Sequence, residues 1–272
     1  MTARALVACV AALLTASCGA RLMKLPSGPG VPATDAIAAL EQATSTCSRI
    51  STFTAEVGVS GSVGGHRMRG RLLAGLAAPA SAYLELPAPF GAPIFIFAAH
   101  DNDATLLLVR DRRLLEGGRP GAVLEAVTGV PLDPPDLRRM LTGCADAGGG
   151  GDARQFGDGW RVIRGANELY LRRDRPADPW RLVAVVHTDP ADGGWRAEYR
   201  DFQNDLPRSI RLRSAAPRRF DLRLALMQVE ANQAIDPATF RVKVPQGTSP
   251  ITLDELRRSG PLADATAGSD GR

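Results

Sequence analysis

From residue 53 onward, apolar side chains fall at every second position. In FTAEVGVSGSVG, Phe53, Ala55, Val57, Val59 and Val63 share one side, with Thr54, Glu56, Ser60 and Ser62 on the other. In HRMRGRLLAGL, Met68, Leu72, Ala74 and Leu76 alternate with Arg67, Arg69 and Arg71. A period of two with one apolar and one wet side predicts antiparallel strands. The intervening GSVGGH predicts a hairpin turn, since no helix start follows its glycines as a phosphate-binding loop would require. Further strands are predicted at Ser81 to Leu86, Pro93 to Ala99 and Thr105 to Arg110, joined by the polar turns DND and RDRR. After a loop, ADAGGGGDAR, alternation resumes in GWRVIR, NELYLRR, WRLVAVVH, WRAEYRDF, LPRSIRLRS and RRFDLRLALMQVEA. In the last of these Phe220, Leu222, Leu224 and Leu226 lie opposite Asp221 and Arg223.

Three segments break this rhythm. DAIAALEQATSTCS places Ile37, Leu40, Thr44 and Cys47 at helical spacing, with Asp35 as the expected cap. PGAVLEAVTG brings Val123, Leu124 and Val127 together. DPPDLRRMLTGC opens on the cap Asp133 with Pro134 in the first turn, presents Leu137, Met140 and Leu141, and stops at Gly143. Many antiparallel strands with one apolar side must curl or pack on a second layer, and two short helices midway cannot make a full layer. The expected fold is mainly β (α+β): a curved antiparallel half-barrel of about 11 strands with short helices plugging its concave face. It is expected to span residues 35–245 as one domain, with residues 246–272 a partly disordered extension carrying a further strand and a short helix. A cup only partly filled by helices leaves an apolar cavity.

The first residues read MTARALVACVAALLTASC, with Arg4 the only charge. The apolar run from Ala5 to Leu14 is too short to span a bilayer and is followed by small residues, the layout of a secretory signal over residues 1–17. The cysteine that follows, Cys18, resembles the acylated residue of a bacterial lipobox, although Thr15 stands where leucine is usual. Residues 18–34, rich in Pro and Gly, are expected to form a flexible tether.

Composition narrows the function. The chain has 272 residues, 33 Lys and Arg against 29 Asp and Glu, and 5% aromatic residues. No dense basic run with interleaved rings is present, which argues against nucleic acid; the mild basicity suits acidic lipid headgroups instead. Cys47 and Cys144 in an exported chain are read as a disulfide, the alternative being two buried thiols. They lack a neighbouring histidine, so no metal site is expected. His66, His100 and His187 lie on different predicted strands or turns. No nucleophile constellation or carboxylate pair emerges, so no catalytic residue and no cofactor is assigned and the chain is not expected to be an enzyme. Trp160, Trp180 and Trp195 each open a strand and are read as rim or core aromatics.

One turn is unusual. LELPAPFGAPIFIF sets Phe90 among prolines and a glycine between two apolar strands. Turn tips favour polar residues or glycine, so Phe90 either folds back over the sheet or is held out to touch something apolar.

AVLEAVTGVPLDPPDLRRMLTGC, a helix ending in Thr-Gly, a Val-Pro-Leu link and a second helix ending in Leu-x-Gly, resembles the helical insert of the LolA/LolB lipoprotein-localisation family, in particular its outer-membrane receptor branch, LolB. LPAPFGAP is similar to that family's turn with an apolar tip, and WRLVAVVHTDPADGGWRAEYRDF and LPRSIRLRSAAPRRFDLRLALMQV to its last four strands. The resemblance covers roughly residues 35 to 230. It departs in the longer C-terminus and in the two cysteines after the lipobox. It implies a periplasm-facing protein anchored through Cys18, in the outer membrane since Gly19 is not the aspartate that marks inner-membrane retention. It further implies a cup for the acyl chains of lipoproteins or lipids, with Phe90 as membrane probe. The lining expected for that cup is Leu72, Leu84, Leu86, Phe95, Phe97, Leu107, Leu124, Val127, Leu137, Leu141, Leu182, Leu222 and Leu224. The partners implied are acyl chains, the membrane and a periplasmic carrier protein, with the chain itself a monomer. The competing reading is a structural or regulatory lipoprotein that holds a protein partner in the same cup.

Overall fold

A computed structural model describes residues 22–148, 151–188 and 193–259. The order of elements is β1 (Val31–Pro32), α1 (Ala36–Thr44), β2 (Thr52–Val63), β3 (His66–Ala77), β4 (Ser81–Leu86), β5 (Phe95–His100), β6 (Asp103–Leu108) and β7 (Arg113–Gly118). Then follow α2 (Pro120–Thr128), α3 (Pro134–Thr142), β8 (Asp152–Phe156), β9 (Trp160–Arg164), β10 (Asn167–Arg172), β11 (Arg181–His187), β12 (Trp195–Arg200), β13 (Ser209–Ser214), β14 (Phe220–Ala231), β15 (Ser249–Pro250) and α4 (Leu253–Ser259).

All strands join one 15-stranded sheet in the order β1-β8-β9-β10-β11-β12-β13-β14-β2-β3-β4-β5-β6-β7-β15. Every pairing is antiparallel except β15 on β7. The mainly β architecture with a large curved sheet and a few short helices is the one expected. The strand count exceeds expectation because four weakly patterned segments join toward the two edges. Arg113–Gly118 follows the RDRR turn, Asp152–Phe156 begins inside the expected loop, and Val31–Pro32 and Ser249–Pro250 pair over two residues each.

Alternation sets the two faces. One continuous cluster contains Phe53, Ala55 and Val57 of β2, Ala74 and Leu76 of β3, Phe95 and Phe97 of β5, and Phe220, Leu222, Leu224 and Leu226 of β14. At this hairpin Val63 pairs with His66, and the two residues between them, Gly64 (φ +58°) and Gly65 (φ +84°), form a tight turn that only left-handed backbone closes.

The helices line the same face. α1 packs on β8 to β11, α2 on β6 and α3 on β3 and β4. The Asp133 carboxylate accepts from the Asp136 N–H at 2.8 Å, Pro134 opens α3, and Gly143 (φ +66°) ends it, as the sequence predicts. α1 differs. Asp35 makes no cap hydrogen bond, because its carboxylate is engaged by the buried Arg161. Leu40, Thr44 and Cys47 are buried as expected, but Ile37 is exposed and Ala36 and Ala39 take its place in the buried stripe. The Cys47–Cys144 disulfide, with Cα atoms 5.6 Å apart, joins the turn after α1 to the residue after the Gly143 cap of α3.

The segment expected as a flexible tether is held from Met23 onward. Met23 and Leu25 pack against a small outer cluster of Val162, Tyr170, Val183 and Ala184. The Met23 N–H donates to both carboxylate oxygens of Glu198, at 2.9 and 3.1 Å, and its carbonyl accepts from Arg196. The physical reason is an apolar patch on the outer face that the two linker side chains cover. The described part of the C-terminal extension is likewise packed on the fold: Ile251 and Leu256 enter the main cluster and α4 packs on α2. Residues 1–21, with the signal segment and Cys18, lie outside the described residues.

Candidate functional site

Because neighbouring strands run in opposite directions, connections alternate between two rims. The β2–β3 turn (64–65), the β4–β5 loop (87–94), the β6–β7 turn (109–112) and the β13–β14 turn (215–219) share one rim. The Gly64 N–H donates to the Arg219 carbonyl at 2.8 Å, and the Val109 N–H to the Ile94 carbonyl at 3.2 Å, which stitches these turns together.

Phe90 sits at the tip of the β4–β5 loop and is 91% exposed. It does not fold back. Pro87, Pro89 and Pro93 limit the backbone on either side, and Gly91 takes φ +82° beside it. The loop closes beneath the tip, where the Ile94 N–H donates to the Leu86 carbonyl at 2.8 Å.

Beneath this rim lies the concave face. Leu84, Leu86, Phe95, Phe97, Leu124, Val127, Leu137, Leu141, Leu182, Leu222 and Leu224 all belong to its single cluster, and Leu72 packs half-buried against it. Leu107 is a correction. It pairs with Ile96 and Leu114, and it is absent from the cluster that holds its neighbours Leu106 and Leu108. It is buried on the outer face, where the short turn Pro237–Phe240 packs on β4 and β5, so the three-leucine run gave no alternation to read. Val123 and Met140, read as helix-face residues but not as lining, also belong to the cluster, as do Val130, Leu132 and Tyr199, which the sequence reading did not single out. Val130 and Leu132 flank Pro131 in the link between α2 and α3 with the spacing of an extended segment, a signal available in the sequence. Burial pushes the Tyr199 hydroxyl above its ordinary titration range.

The hollow itself is filled. A cavity wide enough for a hydrocarbon chain would leave its walls accessible, yet the eleven clustered side chains expected to line it each keep 8% or less of their surface. α2 and α3 occupy the space. α2 leaves the far rim after β7 and reaches the Phe90 rim at Gly129, where an added Cβ would come within 2.4 Å of Val63 Cγ1. The Val130–Leu132 link runs back along α2, so that Asp133 lies against Gly121 near the far rim, and α3 runs from there to Gly143, which abuts Pro207 at the same rim. The pair is thus fixed at the far rim by the chain before α2 and by the disulfide after α3, and the end of α2 at Gly129 is what reaches the Phe90 rim. Two clefts, of about 290 and 470 Å³, are lined by residues 46–50, 204–208 and 229–232, and by residues 172–183 with Phe202; no residue of α2 or α3 contributes to either.

No protein family's profile matches the sequence, and no curated protein matches it. Among solved structures, the chain is similar to a LolA superfamily protein from Nitrosomonas europaea, with 12% identity, a TM-score of 0.53, and coverage of 78% of this chain and 98% of that one. It also aligns with a DUF1329 family protein from Desulfovibrio piger (10% identity, TM-score 0.47, covering 76% and 98%). A putative outer membrane lipoprotein-sorting protein domain from Vibrio parahaemolyticus aligns at 11% identity and TM-score 0.45, covering 74% and 95%. The chain has a LolA-like fold.

Charged groups on this LolA-like sheet are paired around the cup rather than within it. Arg161 Nε and Nη2 donate to Asp35 at 2.6 and 2.8 Å, and its guanidinium lies 4.9 Å from the Trp180 ring centre. The hydrogen bond from Arg161 holds the Asp35 carboxyl below its usual range. Glu198, fully buried on the outer face, is flanked by Arg196 and Arg200. Trp195 stacks on His187 at 5.3 Å. Among the described residues no helix is long and apolar enough to cross a membrane, and no three metal-ligating side chains converge.

Proposed function

We propose that this protein is a lipid-anchored, periplasm-facing carrier or receptor that takes acyl chains of lipoproteins or lipids into the cup and passes them to the outer membrane. The observation that carries this reading is Phe90, 91% exposed on a proline-framed tip directly above an apolar concave face. A single large aromatic held in water gains nothing for the fold and gains free energy on entering an apolar phase.

The filled cup makes carriage conditional on moving the α2–α3 pair. Its buried side chains Val123, Leu124, Val127, Leu137, Met140 and Leu141 are worth at most about 9–18 kcal/mol of burial at about 1.5–3 kcal/mol each. An acyl chain of about 16 carbons returns about 12 kcal/mol at about 0.8 kcal/mol per methylene. Cargo and helices are therefore matched competitors for one apolar surface. The pair is held at the far rim, so its opening is directed to the Phe90 rim.

The test is Phe90→Glu. Expected is normal uptake of a fluorescent fatty acid with loss of its delivery to vesicles; normal delivery would overturn the role of Phe90. Mass spectrometry of protein extracted from membranes is expected to show acylated Cys18 and co-purifying lipid. The packed hollow favours one competing reading, a regulatory lipoprotein whose cup receives a protein segment. That reading expects no fatty-acid uptake and a co-purifying protein instead.

A further inference from the structure

The rim that carries Phe90 is also basic. Arg110 and Arg112 occupy the turn hydrogen-bonded to the Phe90 loop. On the other side Arg67 and Arg69 project from β3 on the face opposite Met68, along the stretch of β3 that extends past the end of β4 toward this rim. All four are exposed and have no ion pair among the described residues, whereas Arg71 pairs with Glu56 and Arg113 with Glu255. Asp111 is the one acid within the four turns named above; the β9–β10 turn and the facing ends of β11 and β12 lie at the same rim, further along the sheet from Phe90. An exposed aromatic between two unpaired arginine pairs matches the boundary of a bilayer, where an apolar layer lies beneath phosphate groups.

We infer that this rim docks on a bilayer surface bearing anionic headgroups, with Phe90 entering the acyl boundary and Arg67, Arg69, Arg110 and Arg112 meeting the phosphates. The inference rests on the proposed membrane contact of Phe90 and adds the lipid class. Each arginine at such a surface contributes about fivefold in partition.

The test is co-flotation of the full chain carrying Cys18→Ser, which removes the acylation site, with vesicles of phosphatidylcholine alone or mixed with phosphatidylglycerol. Binding is expected to rise with phosphatidylglycerol and to fall with added salt. Arg110→Gln/Arg112→Gln and Arg67→Gln/Arg69→Gln are each expected to lower binding to the mixed vesicles by about 25-fold and to leave the neutral ones unchanged. Arg175→Gln, exposed at the opposite rim, is the control and is expected to change nothing. Equal binding to both vesicles, a phosphatidylglycerol gain that survives both double variants, or an equal loss in Arg175→Gln would overturn the inference. Phe90→Glu separates the two readings. Loss on both vesicle types in Phe90→Glu with no effect of the double variants leaves the aromatic probe standing and removes the anionic contact; the reverse pattern keeps the anionic contact and removes the probe.

Discussion

Leu124→Ala tests whether the α2–α3 pair is a removable occupant of the cup. Leu124 lies on α2 and is 2% exposed within the concave cluster. Truncating a leucine in such a place costs about 2–5 kcal/mol, part transfer and part unfilled space. In an open form that has already surrendered the side chain's contacts, the same truncation costs little. The substitution therefore shifts the closed-to-open balance by up to that amount, and 2 kcal/mol corresponds to about a 30-fold change. Fatty-acid affinity should rise by about that factor, until the open form dominates and the gain stops. Titration with a fluorescent fatty acid, run beside thermal unfolding, measures both quantities on one sample.

The comparison that gives the result meaning is Val183→Ala. Val183 is buried in the small cluster on the outer face of the sheet, away from the cup. Its truncation also destabilises the protein and should leave fatty-acid affinity where it was. A folded Leu124→Ala protein with unchanged affinity would refute the idea that cargo and helices compete for the concave face. An equal rise in Val183→Ala would trace the effect to general loosening.

Other measurements probe the frame around the cup. Replacing Cys47 and Cys144 by alanine opens a loop with a sequence separation of 97 and should cost about 2–5 kcal/mol, seen as a lower Tm. Asp35→Asn leaves the buried Arg161 guanidinium without its carboxylate and should cost about 1–3 kcal/mol at neutral pH. The folded pKa of Asp35 is depressed, so its contribution is present above the unfolded pKa and lost as pH falls through the folded value. Acid unfolding of the wild type should show that loss, and Asp35→Asn should lack it. Glu198→Gln weakens the hold on Met23, and limited proteolysis should then cut between residues 23 and 30 while the sheet stays intact.

What the sequence made legible was whatever a strong period or a strong stop signal marks. The twelve-residue strands β2, β3 and β14 alternate over their concave halves, and the Asp133-Pro134 start and Gly143 end bracket α3 without ambiguity. β8 was not legible, because DARQF alternates weakly and is recruited by the edges of β1 and β9 rather than by its own apolar side. Leu106, Leu107 and Leu108 are all buried, each face of β6 having a cover, so period carries no information there. The Asp35 side chain was misassigned because its partner, Arg161, lies 126 positions away. Nor does a list of apolar positions say whether the space between them is empty. Filling depends on how closely α2 approaches the sheet, which is a matter of Gly129 against Val63 and not of composition.

The two ends of the α2–α3 pair are held differently, and this difference bears on direction. At the far rim the restraints are covalent: the chain from β7 and the Cys47–Cys144 bond. At the Phe90 rim they are an ion pair between Glu125 and Arg219, at 2.6 Å, and the packing of Val127 and Val130 on either side of Gly129. A partly exposed ion pair contributes about 0–1 kcal/mol, and the burial of two aliphatic side chains about 3–6 kcal/mol. Thermal opening therefore begins at the rim where Phe90 stands, and the covalent restraints keep the helices close enough to return. A carrier needs this arrangement, because the mouth of the cup then faces whatever surface the exposed aromatic has touched. A cup built to hold a permanent protein segment has no need to open toward a membrane, so hydrogen exchange distinguishes the two. Faster exchange at residues 126–130 than at residues 139–142 is expected for opening at the Phe90 rim, and uniform protection along both helices would remove the argument.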